Sequence, residues 1–229
     1  MLVTIVIPAL DEEEGLPRVF EALPLRDLRE QGHQVQVIVV DGGSTDGTRE
    51  VAAAHGARVL RFRRGYGRQY RAALAEVPHG VIVTLDADGS YPAGRIAELV
   101  EILLTRGLDF LSVNRMEEMS PGAMSRMHRF GNAVLSLTMR WLFRVEVKDS
   151  QSGMWIFRQE ILPFLNLHAA GMAFSEEIKI EAFTRFRALE VPGAYTARIG
   201  RAKIRSFRDG LGNLFYLFFK KARYLVGCP

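Results

Sequence analysis

The sequence predicts an α/β fold: one domain built on a largely parallel sheet with helices on both faces. Two observations carry this. Short apolar runs with strand character alternate with helix-like segments through the first half of the chain, joined by only a few residues. Two of those runs stop abruptly in aspartate, at the place where open α/β sheets form their ligand crevice. A content of 48% hydrophobic and 24% charged residues over 229 positions fills a large core, dresses an ordinary surface and excludes a disordered chain.

The elements follow in order. Strand-like 2–7 precedes a helical segment over 12–31, and the apolar run 35–40 precedes a helix over 46–55. A strand at 57–62, a helix at 67–77, a strand at 80–85, a helix at 92–106 and a strand at 108–113 complete the alternating part. From about 115 the rhythm changes to a long helix-like stretch, 121–143, rich in Met, Leu, Phe and Arg. The polar turn 149–153 breaks it ahead of a short strand at 155–157, and another helix covers 175–186. An aromatic, basic-ended segment over 206–226 closes the chain. Its apolar run is far shorter than the ~20 residues a bilayer span requires, so it either packs on the core or lies among lipid headgroups.

Charge narrows the partners. Net charge is +4, and 25 of the 30 basic residues are Arg, with clusters at 61–71 and 198–208. The planar guanidinium fork suits phosphates and acidic lipids. No nucleic-acid motif accompanies the charge, so no nucleic-acid partner is expected. Cys228 is the lone cysteine, which excludes an internal disulfide and a cysteine metal site. The N-terminus opens directly on a strand without a signal-like segment, and a cytoplasmic location is expected.

The chemistry concentrates at the strand ends. Asp86-Ala87-Asp88 follows the apolar run 81–85, placing two carboxylates where positive charge must compensate them. Mg²⁺ or Mn²⁺, held by one or two carboxylates and completed by substrate phosphates, fits that donor set. Capping of the helix after Tyr91-Pro92 by Asp88 or Ser90 is the rival explanation. Asp41 ends the second run and opens Gly42-Gly43-Ser44-Thr45-Asp46-Gly47-Thr48, small residues that let a backbone pass close to a nucleoside, or simply a turn capped by Asp46. Pro8-Ala9-Leu10-Asp11-Glu12-Glu13 brings further acids to the same edge. The five histidines have no ligand spacing.

Together these motifs carry a resemblance. Pro8 to Glu12, Val40 to Thr48, Gly65-Tyr66-Gly67 and Leu85 to Gly89, in that order, resemble family 2 glycosyltransferases of the GT-A fold. Val113-Asn114-Arg115, Lys148 to Gly153 with Phe157-Arg158, and Arg198 to Lys203 resemble the branch that moves sugars onto dolichyl and polyprenyl phosphates. The resemblance implies a nucleotide-sugar half over 1–115, an acceptor half over 116–205 and a membrane-surface helix over 206–229. It implies that Pro8, Leu10, Glu12, Asp41, Ser44 and Gly65 line the donor, that Asp86 meets the ribose and diphosphate, and that Asp88 holds the metal. It further implies phosphate contacts from Arg115, Arg126, Arg129, Arg198 and Lys203. Asp11 stands where many relatives carry Asn, and Ser90 where some use Gln on the metal.

The expected reaction is an inverting transfer of a hexose from GDP-mannose or UDP-glucose to a polyprenyl phosphate. A phosphate acceptor is already anionic, so positioning and electrostatics outweigh base catalysis. Asp149 and Gln151 are expected to shape the acceptor or sugar pocket. If the acceptor were a glycan hydroxyl instead, Glu177 would be the candidate base. A silent nucleotide-sugar or lipid-binding module is the alternative of another class, and a nucleotidyltransferase lacks its Gly-rich phosphate loop here.

Overall fold

A computed structural model describes residues 1–200 and 206–225. Seven strands form one sheet in the order β3-β2-β1-β4-β6-β5-β7. These are β1 (Leu2–Ala9), β2 (Gln34–Asp41), β3 (Arg58–Arg61), β4 (Val81–Thr84), β5 (Phe110–Met119), β6 (Trp155–Arg158) and β7 (Ala188–Tyr195). All pairings are parallel except those of β6, which runs antiparallel between β4 and β5. The mostly parallel sheet is therefore as expected, with one reversed strand.

Period-two alternation sends the strand side chains to two cores. Val3, Ile5 and Ile7 pack with Leu16, Phe20, Leu99 and Leu103, from α1 (Leu16–Ala22) and α5 (Ile96–Thr105). Val6, Ile38 and Ile82 face Tyr70, Trp155 and Phe174 on the other side, beneath α4 (Tyr66–Leu74) and α7 (Phe174–Arg185). The register Ala9↔Asp41 aligns the carboxyl ends of β1 and β2, and β4 lies parallel on β1's other side. Three strand ends thus share one edge.

Two elements depart from expectation for local reasons. The helix expected over 12–31 is split into α1 and α2 (Leu25–Glu30), because Pro24 has no N–H and Leu23 before it is extended (φ −66°, ψ 125°). Strand β7 was not anticipated. It is half-buried at the sheet edge and contains Pro192 and Gly193, which obscure a strand pattern but are tolerated where no further strand pairs. The remaining helices, α3 (Thr48–Ala54), α6 (Arg126–Phe143) and α8 (Ser206–Leu225), fall where the periodicity puts them. Ser125 caps α6 by accepting from the His128 N–H at 3.2 Å.

Helix α7 buries Glu176, Glu177, Lys179 and Glu181 completely, so each must be answered by polar partners. Glu177 accepts from the His168 and Ala169 N–H groups, both at 2.8 Å, and from the Tyr216 hydroxyl at 2.5 Å. Lys220 bridges Glu177 (3.1 Å) and Glu181 (2.7 Å), strapping α8 onto α7. Alongside, Asp149 takes a bidentate grip from Arg115, Nε at 2.7 Å and Nη2 at 2.8 Å, plus the Asn132 amide at 2.8 Å. Lys179 donates to the Asp149 carbonyl at 2.6 Å; burial pushes its ammonium down to about 8, while Asp149 and Glu190 nearby hold it up. Burial would raise the Asp149 carboxyl, but the Arg115 guanidinium overrides it and holds it well below the usual carboxylate range.

Removing one partner of this buried pair leaves the other uncompensated. Asp149→Ala is expected to cost about 3–5 kcal/mol in urea unfolding at pH 7. Because the folded carboxyl is depressed, its contribution is full above the unfolded value of about 3.9 and fades as pH falls below it. The stability gap between the parent and Asp149→Ala should therefore narrow progressively below about pH 4, measured by the same unfolding curves.

Candidate active site

The site grows from the shared edge of β1, β2 and β4. After β1 the chain turns through Asp11, whose φ of 50° lies in the left-handed region that Asp and Asn tolerate best. Its N–H donates to Ser44 Oγ at 2.9 Å, and its Oδ1 accepts from the Thr45 N–H at 2.7 Å. The Glu12 N–H donates to Thr48 Oγ1 at 2.7 Å, so the 10–13 and 41–48 loops are laced into one wall. Asp46 accepts from the Thr48 N–H at 3.1 Å in a local turn ahead of α3, whose capping position is Gly47 and has no side-chain cap, so Asp46 is a turn residue and not the expected cap.

Asp41 is buried at the end of β2. It accepts from the Ser44 N–H at 3.0 Å and pairs with Arg49 at 3.1 Å. Burial alone would raise its carboxyl, yet these partners hold it below the ordinary value. Arg49 also donates to the Ser44 carbonyl at 2.8 Å. In the sequence Arg49 is one helical arginine among many and carries no signal without its partner.

Asp86 and Asp88 follow β4 as expected. Asp88 accepts from the Ser90 N–H (3.0 Å) and hydroxyl (2.6 Å) on one oxygen, a local turn rather than a helix cap, since the next helical turn begins at Ala93 with Pro92 before it. Its other oxygen faces Arg198 at 3.4 Å, and Arg198 also lies 3.6 Å from Glu12. Asp86 accepts from the Tyr66 hydroxyl at 3.2 Å. Burial, with the like charge of Asp88, pushes the Asp86 carboxyl up to about 7. Two mutually repelling carboxylates, one with its proton held that tightly, are the donor set that a hard divalent cation relieves, with ligand positions left for phosphate oxygens.

Aromatic residues frame the pair. Tyr66 and Tyr91 enter the sequence reading only as parts of a motif and a helix start, and Tyr195 not at all, since tyrosines carry no spacing signal of their own. Tyr91 accepts from the Gly153 N–H at 2.7 Å, and Arg115 lies over the rings of Tyr91 (5.9 Å) and Tyr195 (5.2 Å). A β-carbon at Gly153 would collide with the Tyr66 hydroxyl and stand 3.1 Å from Asp86, so only glycine lets this turn approach. A cavity of about 190 Å³ opens beside the pair, lined by Arg18, Leu85, Asp86, Tyr91, Pro92 and Thr196.

The expected residues thus divide. Arg198 bridges Glu12 and Asp88, Asp41 and Ser44 are bonded to each other, and Asp86 stands at the end of β4 beneath the Tyr66 hydroxyl, with Pro8 at the end of β1 and Leu10 just beyond it. Gly65 precedes α4 with φ 139°, and a β-carbon there would press on the Ala170 carbonyl, so the turn requires glycine. Three expectations are corrected. Both Asp149 oxygens are taken by Arg115 and Asn132, so Asp149 orients Arg115 instead of lining a pocket. The Gln151 amide is clasped between Glu176 (2.7 Å) and Asn213 (2.7 Å). Glu177 is fully buried and spends both oxygens on the 168–169 backbone, Tyr216 and Lys220, which removes it as a base. Arg126 and Arg129 stand exposed in the first turn of α6, apart from the carboxylate cluster's contacts, and Lys203 lies outside the described residues.

Comparison with known proteins agrees with this geometry. The model of glycosyl transferase family 2 matches residues 4–164. A low-salt glycan biosynthesis hexosyltransferase, Agl6 of Haloferax volcanii, is 31% identical over 99% of this chain, which spans 55% of that relative. A polyprenol monophosphomannose synthase of Mycolicibacterium smegmatis is 31% identical over 85% of the chain and 77% of its own length. Among solved structures, glucosyl-3-phosphoglycerate synthase of Mycobacterium tuberculosis, in complex with Mn²⁺, UDP and glucosyl-3-phosphoglycerate, superimposes with a TM-score of 0.69 at 26% identity, covering 100% of this chain and 81% of that one. With its strand-end carboxylates and its mostly parallel sheet, this chain belongs to glycosyl transferase family 2.

Proposed function

We propose that the chain transfers a hexose from a nucleoside-diphosphate sugar, GDP-mannose or UDP-glucose, to a polyprenyl phosphate with inversion at the anomeric carbon. The observation that carries this is the carboxylate edge itself, with a nucleoside wall built on Asp41 beside the Asp86 and Asp88 pair. A bound Mg²⁺ or Mn²⁺ there would be held by Asp88 and Asp86 and would offset charge on the departing diphosphate.

The chain's own residues do the rest. Glu12, Asp41 and Ser44 shape the wall against which the nucleoside lies. An acceptor phosphate oxygen attacks the anomeric carbon as the bond to the diphosphate oxygen breaks, so no proton needs removing and no base is required. The occupied carboxylate of Glu177 favours this over a hydroxyl acceptor. Arg115, locked by Asp149 and the two tyrosines, supplies fixed positive charge for the phosphates, Arg198 adds a more loosely held one, and Arg126 and Arg129 extend the charge toward the surface.

A lipid acceptor also needs a meeting place. Helices α6 and α8 lie side by side: Phe143 near the end of α6 meets Tyr224 and Lys221 near the end of α8, while Asn132 and Asn213, early in each, both reach the 149–151 turn. One face of α8 is therefore tied to the core through Asn213, Leu217 and Lys220. The outward faces expose Phe130 and Trp141 on α6, and Phe215 and Phe219 on α8, with Trp141 73% exposed. Among the described residues no helix is long and apolar enough to cross a membrane. We read this aromatic, basic-rimmed face as peripheral docking on the cytoplasmic side of a bilayer.

Three outcomes are expected. Label from one of the two donors should enter polyprenyl phosphate in the presence of Mn²⁺ or Mg²⁺, and Asp88→Asn should lower the rate on the order of 10²–10³-fold. Nucleotide release without labelled lipid would move the acceptor elsewhere. Because Asp86 must lose its proton to ligate, Mn²⁺ affinity followed by electron paramagnetic resonance should fall about tenfold per unit as pH drops below 7 and level off above it. Trp141→Ser with Phe215→Ser should reduce cosedimentation with anionic vesicles while leaving the thermal midpoint close to that of the parent, since both side chains are exposed.

A further inference from the structure

We propose that Arg198 is a built-in counter-cation for Asp88, which a divalent ion must displace from the carboxylate oxygen it would occupy. This rests on the assignment of Asp88 to the metal. With Asp88 Oδ1 taken by the Ser90 N–H and hydroxyl, Oδ2 is the oxygen left to face a cation, and the Arg198 guanidinium stands 3.4 Å from it. The same Nη2 reaches Glu12 at 3.6 Å, on the nucleoside side of the site. A guanidinium and a divalent ion repel each other, so the two compete for one carboxylate oxygen.

The manner of holding distinguishes this arginine from the one nearby. Arg115 grips Asp149 with two contacts at 2.7 and 2.8 Å, a seat built for permanence. Arg198 meets Asp88 and Glu12 at 3.4 and 3.6 Å, beyond good hydrogen-bond length, and among the described residues its buried Nε has no hydrogen-bond partner. The backbone, by contrast, is pinned: the Thr196 N–H donates to the Ser90 carbonyl at 3.0 Å and the Ile199 N–H to the Asp88 carbonyl at 2.9 Å. A side chain held by charge on an anchored backbone can swing away without unfolding its segment. Once a divalent ion takes Asp88 Oδ2, the guanidinium loses the charge that held it there and shifts away from that oxygen.

Manganese binding to the whole chain, without nucleotide, tests this. Arg198→Met should bind Mn²⁺ on the order of tenfold more tightly than the parent, as reciprocal coupling requires. Arg198→Lys, which keeps the charge, should stay near the parent. Arg18→Gln serves as the control for a nearby charge, because its side chain lies beside Gly89 without pairing with Asp88. Equal affinities in the parent and Arg198→Met, with binding lost in Asp88→Asn, would overturn the displacement while leaving the metal assignment standing. Mn²⁺ binding that is undetectable in the parent and in Arg198→Met would overturn both.

Discussion

Convergent negative charge at one sheet edge is the constraint on which the rest of the structure depends. Parallel pairing in register brings the ends of β1, β2 and β4 together, and each end delivers carboxylates: Glu12, Asp41, and the pair Asp86 and Asp88. Such a concentration is unfavourable in a partly desolvated crevice unless cations answer it. The chain answers it in two different ways. Asp41 is neutralised permanently by Arg49 from the helix that follows its own loop, and its carboxyl is held low. Among the described residues no arginine makes a salt bridge to Asp86, and burial with the charge of Asp88 pushes it up to about 7. The edge is thereby divided into a settled wall and an unsettled pair, and it is the unsettled pair that has use for an exchangeable cation.

The acceptor side solves a related problem with buried charge. Helix α7 is buried along its first two turns, yet carries three glutamates and a lysine there. Partners come from elements distant in sequence, namely the 149–151 turn, the 168–169 backbone and α8. Pairs of this kind add little net stability but punish misassembly, because any other placement of α8 would strand charges in the core. The consequence is a fixed platform for α8: its polar face is committed inward, so its aromatic face has nowhere to go but outward.

The donor half is the more legible part of the sequence. Apolar runs ending in aspartate, small residues after Asp41 and the Asp-x-Asp spacing are local signals, and they locate β1, β2, β4 and the carboxylates that converge there. What escapes inspection is written in long-range contact. Arg49, Tyr66 and Tyr91 acquire meaning only beside Asp41, Asp86 and Gly153. Asp149, Gln151 and Glu177 err in the opposite direction: polar residues in a polar turn or a helix start look available for substrate, and only the fold reveals that other residues already occupy them. Strand β7 stayed hidden because Pro192 and Gly193 are acceptable at a sheet edge, a fact about position that its own eight residues do not carry.

The pairing of Arg115 with Asp149 links the two halves physically. Arg115 leaves the end of the buried part of β5, is gripped by the turn that precedes β6, and lies against Tyr91 from the loop after the carboxylate pair and Tyr195 from the end of β7. Tyr91 in turn holds the Gly153 N–H, and Gly153 abuts Asp86 and Tyr66. A change in the 149–153 turn is therefore felt at Asp86 through Gly153. This continuity explains why the antiparallel strand β6 is inserted between β4 and β5: only there does the turn ahead of it stand between the carboxylate pair on one side and α6, α7 and α8 on the other.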